Sequence, residues 1–248
     1  MTLVIPTVFA EVNCMGIMLR SLSQSTALPA ETIVVASGNH TRFAKEKQMV
    51  RALLSNYSSV LPSLKLVYLS DIQQQGLARN IGANLSSNSI VTFFDGDDYM
   101  HPQRIEIVHQ MLQRYPDVDV LLHNWVTFVY EESIKPPPIT NMSVMLRPDE
   151  IWKRYQALGW NRGDVTKDLR KDYRRLYLIW VFPEYSSLAN GWSTMKRSVI
   201  NTIPYTGTKG AEDSLHNANI ILGGYNVMAI EARLGFYRQR DRHRRKTC

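Results

Sequence analysis

The sequence lacks long apolar runs, has few cysteines, shows no internal repeat or low-complexity tract, and has no glycine-rich basic loop after its first strand. Each absence excludes a class of protein. The longest unbroken apolar stretch, Leu176 to Phe182, has seven residues, against the roughly 18–20 needed to span a bilayer. No membrane-spanning segment is expected. Cys14 and Cys248 have no metal-ligand spacing and cannot staple a chain of 248 residues, which fits a reducing compartment. The start, Thr2 to Pro6, lacks the basic region and longer apolar core of a secretory signal and reads as a strand. Cytoplasmic residence is the expectation. Without a glycine-rich basic loop at Thr7 to Glu11, a sugar-nucleotide pyrophosphorylase is disfavoured.

What is present is an ordinary globular balance, 44% hydrophobic against 21% charged, enough to bury a core. The net charge of +7 is concentrated at one end. Arg233 to Cys248 holds seven Lys or Arg and one acid, for +6, leaving +1 for everything before it. The plain reading of this tail is a solvated terminus. The functional one is peripheral contact with anionic lipid or a phosphorylated ligand. Nucleic acid is not the expected partner, and binding to it would show as a steep salt dependence lost with residues 238–248.

The first half alternates strands and helices. Leu3–Ile5, Thr32–Val35, Leu64–Leu69 and Ile90–Phe94 are β-branched or apolar runs bounded by turn residues. Between them, Met15/Met18/Leu19/Leu22, Val50/Leu53/Leu54/Tyr57 and Leu77/Ile81/Leu85 each fall on one helical face. Pro102 sits at the first turn of a further helix carrying Ile105, Val108, Met111 and Leu112. Such alternation predicts an α/β fold with a mostly parallel sheet, flanking helices, and ligands at the carboxyl ends of the strands. The second half is less regular: strands are expected at 118–122, 125–130 and 141–146, and a helical insertion at 152–177. One continuous domain over 1–240, with a basic tail at 241–248, is the expected organisation.

The chemistry is densest at Ile90-Val-Thr-Phe-Phe-Asp-Gly-Asp-Asp-Tyr99, an apolar strand running into three carboxylates. Clustered like charges cost stability unless a cation compensates them, so Mg²⁺ or Mn²⁺ is the economical explanation. The plain alternative is an acidic turn. An EF-hand loop over Asp95 to Glu106 fails because Met100 stands where Gly is needed and Pro102 starts a helix inside it. A haloacid-dehalogenase-type phosphatase is a poor match, since Tyr99 occupies the position of its Thr or Val.

Taken with what surrounds it, the sequence resembles the family 2 glycosyltransferases of the GT-A fold. The resemblance is carried by Val4-Ile-Pro-Thr7, Gly76-Leu-Ala-Arg-Asn-Ile-Gly82, Phe93-Phe-Asp-Gly-Asp-Asp98, and Gly210-Ala-Glu-Asp-Ser214 followed by an apolar helix and Gly223-Gly-Tyr225. It covers about residues 2–240, with a nucleotide-binding half to about 115 and an acceptor-side half beyond. It implies metal-dependent, inverting transfer of a sugar from a UDP-, GDP- or dTDP-sugar to a hydroxyl of a glycan, glycolipid or polysaccharide.

The resemblance also assigns roles. Asp97 is the first choice for metal ligand, with Asp95 nearer the ribose and sugar and second choice to share the ion, while Asp98 sets the loop. Pro6, Thr7, Ser37, Arg79, Asp95 and Gly96 are donor-side candidates, and the plain alternative for Arg79 is a surface helical arginine. Asp213 is the first choice for general base and Glu212 the alternative, with Trp192 bordering the acceptor. Outside that pattern, Glu212 and Asp213 would be ordinary helix-start acids.

Two positions depart from the family. Val35-Ala-Ser-Gly38 replaces the acidic pair that contacts the base, leaving Ser37 as substitute, and Tyr237-Arg-Gln-Arg240 lacks the late metal-binding His, for which His243 is the nearest stand-in. These departures keep a second function in view, a degenerate module that binds nucleotide or polyanion without turnover.

Overall fold

The computed structural model describes residues 1–39, 41–71, 74–128, 136–140, 142–164, 191–206 and 212–238. The chain runs β1 (Thr2–Val8), a 3-10 turn (Phe9–Glu11), α1 (Val12–Ser23), β2 (Glu31–Ser37), α2 (Ala44–Tyr57), β3 (Leu64–Leu69), α3 (Gln75–Leu85) and β4 (Ile90–Phe93). The less regular half follows with β5 (Tyr99–Met100), α4 (Arg104–Arg114), β6 (Val120–Phe128), β7 (Val144–Leu146) and α5 (Pro148–Ala157). After residues outside the described set come β8 (Thr194–Lys196), α6 (Arg197–Thr202), α7 (Glu212–Leu222) and β9 (Val227–Arg238).

One sheet, ordered β3-β2-β1-β4-β8-β6-β9-β5 with β7 also on β9, passes through both halves. The β3-β2-β1-β4 block is parallel; β8 lies antiparallel between β4 and β6, and β6 and β9 are parallel again. Strand alternation explains the two apolar clusters on either face of the parallel block; a third packs α4 against β6 and β9. Val4, Ile33, Val35 and Phe93 face a cluster with Ala78, Ala83, Ile200 and Ile220. Leu3, Ile5, Val34 and Ala36 face the other way, onto Met15, Met18, Leu19 and Val50. Gly82 lets α3 lie close on β1, since a Cβ there would stand 2.3 Å from Val4 Cγ1.

The chain builds outward from β1 to β2 and β3, then returns to place β4 on the other side of β1. Their carboxyl ends therefore diverge around a crevice, the switch point at which such sheets bind ligands. The first-half strands and the helices α1 and α2 follow the predicted pattern, but the face expected for α3 is corrected. Leu77 and Ile81 are only half-buried and Leu85 is 50% exposed, while Gly76, Ala78, Arg79, Gly82 and Ala83 turn inward, since the close approach of α3 to β1 admits small residues. Three other details differ. The separate strands expected at 118–122 and 125–130 are one strand, β6, whose register against β9 shifts on either side of Asn124, a bulge that breaks the apolar alternation. The helix expected over 152–177 is α5, ending at Ala157 before Gly159 and Gly163, which have φ of +87° and +94°; residues 165–177 lie outside the described set. Pro102 sits in the turn before α4, where its carbonyl accepts the Thr26 N–H at 2.9 Å.

Candidate active site

The crevice between β1 and β4 brings the first group of predicted residues together. The Gly96 N–H donates to the Pro6 carbonyl at 3.2 Å, and a Cβ on Gly96 would lie 2.8 Å from Thr7 Cβ. Thr7 Oγ1 is buried with no partner among the described residues. Ser37, at the end of β2, is 1% exposed, and its hydroxyl donates weakly to the Thr7 carbonyl at 3.4 Å. Pro6, Thr7 and Gly96 thus pack together at the ends of β1 and β4, and all three are buried, as Ser37 is.

Arg79 is neither a surface arginine nor free to swing. Gly76, Ala78, Arg79, Gly82 and Ala83 form the buried side of α3, and the Arg79 side chain is 0% exposed. Its guanidinium donates to Asp95 Oδ1 at 2.7 Å and to Asp213 Oδ1 at 2.5 Å, with Glu212 Oε1 at 3.8 Å. One cation joins the acid at the end of β4 to the acidic pair opening α7. The neighbouring carboxylates more than offset burial and hold Arg79 firmly charged.

Tyr205 covers this clamp. Arg79 Cζ lies 5.3 Å from the centroid of its ring, which stacks on His216 at 3.7 Å. A Cβ on Gly76 would come within 2.7 Å of Tyr205, and the Gly76 N–H donates to Glu212 Oε1 at 3.0 Å. Gly191 matters for the same reason: a Cβ there would stand 2.3 Å from Arg79 Nη2 and 2.6 Å from Asp213 Oδ1.

The expectation of Trp192 as an acceptor border is corrected. Trp192 is 2% exposed, stacked on Phe94 at 4.9 Å, and its indole N–H donates to Asp95 Oδ2 at 3.2 Å. Buried among aromatics, it supports Asp95 from within and has almost no surface for an acceptor. A buried arginine fixes this support: Arg104 donates to the carbonyls of Phe93 (3.0 Å) and Trp192 (2.9 Å), to Thr92 Oγ1 (2.9 Å) and to His123 Nε2 (3.0 Å). Since Arg only donates, His123 Nε2 must accept and Nδ1 carry the proton, donated to the Asn124 carbonyl at 2.9 Å. Burial and the adjacent Arg104 hold the His123 pKa at about 3.

Asp97 and Asp98 meet the end of β9. Pairing of Tyr99 with Phe236 and of Met100 with Gly235 carries that strand alongside the acids. There the Arg238 N–H donates to Asp98 Oδ1 at 2.8 Å and its guanidinium to Asp97 Oδ2 at 3.2 Å. The pKa values of Asp95, Asp98 and Glu212 are all raised, first by burial and further by neighbouring carboxylates. Asp98 Oδ2 and Glu212 Oε2 are buried with no hydrogen-bond partner among the described residues. His243, Gly210 and the tail at 241–248 lie outside that set. The expectation that the cysteines stay reduced is corrected at Cys14, which is disulfide-bonded.

No group of three metal-ligating side chains converges among the described residues. The donor chemistry nevertheless fits a hard divalent cation: oxygens only, an orphaned buried carboxylate oxygen on Asp98, and five acids against Arg79 and Arg238. Sequence reasoning missed Tyr205, Gly191, Arg104 and the placement of Arg238. Only Arg238 had a signal, lying inside the Tyr237–Arg240 segment noted for its missing His.

A parallel half-sheet with acids at its switch point and a second acidic pair across Arg79 defines the class, a GT-A fold. The model of glycosyl transferase family 2 matches residues 2–200, and the chain belongs to that family. Similar solved structures include TarS 1–349 of S. aureus in complex with UDP, at 16% identity and TM-score 0.61, covering 96% of this chain and 60% of that one. A mannosyltransferase of Pyrobaculum calidifontis in complex with GDP-Man and Mn²⁺ matches at 16% identity and TM-score 0.62, covering 97% and 57%. Glucosyl-3-phosphoglycerate synthase of Mycobacterium tuberculosis, with Mn²⁺, UDP and phosphoglyceric acid, matches at 16% and 0.55, covering 97% and 71%. The present chain thus spans about 60% of the length of the TarS 1–349 structures. No curated protein matches the sequence. Among the described residues no helix is long and apolar enough to cross a membrane.

Proposed function

We propose that the chain is an inverting glycosyltransferase that moves a sugar from a nucleoside-diphosphate donor to a hydroxyl acceptor, a glycan, glycolipid or polysaccharide. The observation that carries this is the Arg79 bridge, which ties Asp95 to Asp213 and holds the two acidic motifs on either side of one crevice. In this reading the donor lies over Pro6, Thr7, Ser37 and Gly96. Asp213, with 27% of its side chain exposed, takes the acceptor's proton; Glu212, at 13%, is the alternative. The acceptor oxygen then attacks the anomeric carbon, the bond to the diphosphate breaks, and the electron pair leaves with it. General-base assistance contributes roughly 10²–10⁴-fold. Asp97, with Asp98 or Asp95 beside it, would hold Mn²⁺ or Mg²⁺, and a bound ion supplies electrophilic stabilisation of the leaving diphosphate. Trp192 and Arg104 hold Asp95 in place. The reading sets the reaction in the cytoplasm, with the basic tail as a peripheral contact to an anionic surface.

The test is a panel of UDP-, GDP- and dTDP-sugars with Mn²⁺, Mg²⁺ or EDTA, read by thermal shift and by release of nucleoside diphosphate. One donor should stabilise the protein in a metal-dependent way and be slowly hydrolysed. Asp213→Asn should keep donor binding and lower turnover at least about 100-fold. Near-normal turnover in that variant would move the base to Glu212, and silence across the panel would favour a binding module.

A further inference from the structure

The end of β9 sets a protein cation on the carboxylate that the proposed function assigns to a metal. Three contacts position it. The Arg238 backbone N–H is bonded to Asp98 Oδ1 at 2.8 Å, Nη1 lies 2.8 Å from Cys14 Sγ on α1, and Nη2 lies 3.2 Å from Asp97 Oδ2. The β5–β9 ladder fixes the backbone two residues earlier, at Phe236. Arg238 therefore reaches Asp97 from a strand end.

The strength of this pair differs from that of the neighbouring clamp. Arg79 makes contacts of 2.5 and 2.7 Å from a side chain with no exposure, within or below the range of about 2.7–2.9 Å for charge-assisted hydrogen bonds. Arg238 stands at 3.2 Å, with both side chains retaining slight exposure, 13% and 11%. It is the looser ion pair and the more readily exchanged. Charge favours exchange too. Asp95, Asp97, Asp98, Glu212 and Asp213 against Arg79 and Arg238 leave a formal charge of −3 among the described residues of the site. A divalent ion on Asp97 would bring this to −1, and Arg238 would stay close because its main chain is held by Asp98.

We infer that Arg238 is the resident counter-ion of Asp97 and that a divalent cation must displace it to bind there. This rests on the glycosyltransferase reading for the identity of the metal position. Arg238 thereby sets the metal affinity of the protein, because it masks Asp97 before the metal arrives.

The test is direct titration of the full chain with Mn²⁺ alone, followed by the electron paramagnetic resonance of free Mn²⁺, with no donor present. Arg238→Gln keeps the backbone bond to Asp98 and removes the charge; it should bind Mn²⁺ about tenfold more tightly than the parent, the loss of one hydrogen bond between charged groups. Arg238→Lys retains a charge and the fold, and should show a smaller gain. Adding Asp97→Asn should abolish the gain. Unchanged or weaker Mn²⁺ affinity in Arg238→Gln, a Lys variant with no gain or with the full Gln gain, or a gain that survives Asp97→Asn would each overturn the inference. Failure of the transferase reading shows instead as silence in the donor panel, whatever the Mn²⁺ titration gives.

Discussion

Both ends of the parallel half-sheet bury carboxylates, and they treat them in opposite ways. At the amino ends of the strands, Glu31 is 1% exposed yet fully partnered. Its oxygens accept from Thr2 Oγ1 at 2.6 Å, the Ser87 N–H at 2.9 Å and Lys65 Nζ at 2.5 Å. Burial alone would raise its pKa, but these donors outweigh it and bring it to about 2. At the carboxyl ends, Asp95, Asp98 and Glu212 are raised instead, first by burial and then by one another. A saturated carboxylate serves the fold and wants nothing more. An oversupplied cluster with orphaned oxygens is costly by itself, and a bound cation would offset that cost.

The comparison is broken most severely at Arg79, the cation that Asp95, Glu212 and Asp213 share. Arg79→Met leaves three carboxylates facing each other without their fully buried partner, and should cost about 3–5 kcal/mol at neutral pH together with all donor response. Urea denaturation checks the first figure, and a loss under about 1 kcal/mol would mean the acids tolerate one another. Gly191→Ala should come next. Its methyl would press on Arg79 Nη2 and Asp213, so we expect turnover to fall by about 10–100-fold in a protein that still melts cooperatively. At the other end, Glu31→Gln should lower stability by about 1–3 kcal/mol and leave turnover per folded molecule unaltered. A turnover loss there would show that the two ends are coupled.

The smallest expected effect is in the pH profile. Glu31 has a folded pKa of about 2 against an ordinary 4.5. Its stabilisation is therefore complete above about pH 4.5 and is lost as pH falls towards 2. The raised site acids work in the other direction, because protonating them on the way down from neutrality relieves the folded state. In the absence of metal, the melting temperature should hold or rise slightly from about pH 7 to 5, then fall, and Glu31→Gln should flatten that acid limb. A steady fall from neutrality, identical in both proteins, would remove the distinction between the two ends.

Much of this arrangement was legible in the chain. The runs that became β1 to β4 and the helical faces of α1 and α2 follow from short-range periodicity, which needs no tertiary information, whereas α3 buries its glycines, alanines and Arg79 in place of the expected Leu77, Ile81 and Leu85. The acids at 95, 97 and 98 were visible as charges closing an apolar strand, and Glu212 and Asp213 as a pair before an apolar helix. Less was legible where pairing, not pattern, decides. The bulge in β6 depends on β9, more than a hundred residues later. Trp192 gave no sign that it would be buried beneath Asp95 with Gly235 against its ring. Arg104, inside an amphipathic helix, could not be told from a solvated arginine until its four partners were seen.

By itself, then, the sequence determined the alternating α/β plan, the crevice that such a plan opens at its strand ends, and the residue types available there, since all of these rest on neighbours along the chain. The tertiary structure alone decided which charges share a partner. Arg79 meets Asp213 across 134 residues, and Arg238 meets Asp97 across 141. Such pairs exist only after packing excludes water and fixes two distant backbones within hydrogen-bond reach, and the same exclusion of water raises the pKa values of Asp95, Asp98 and Glu212.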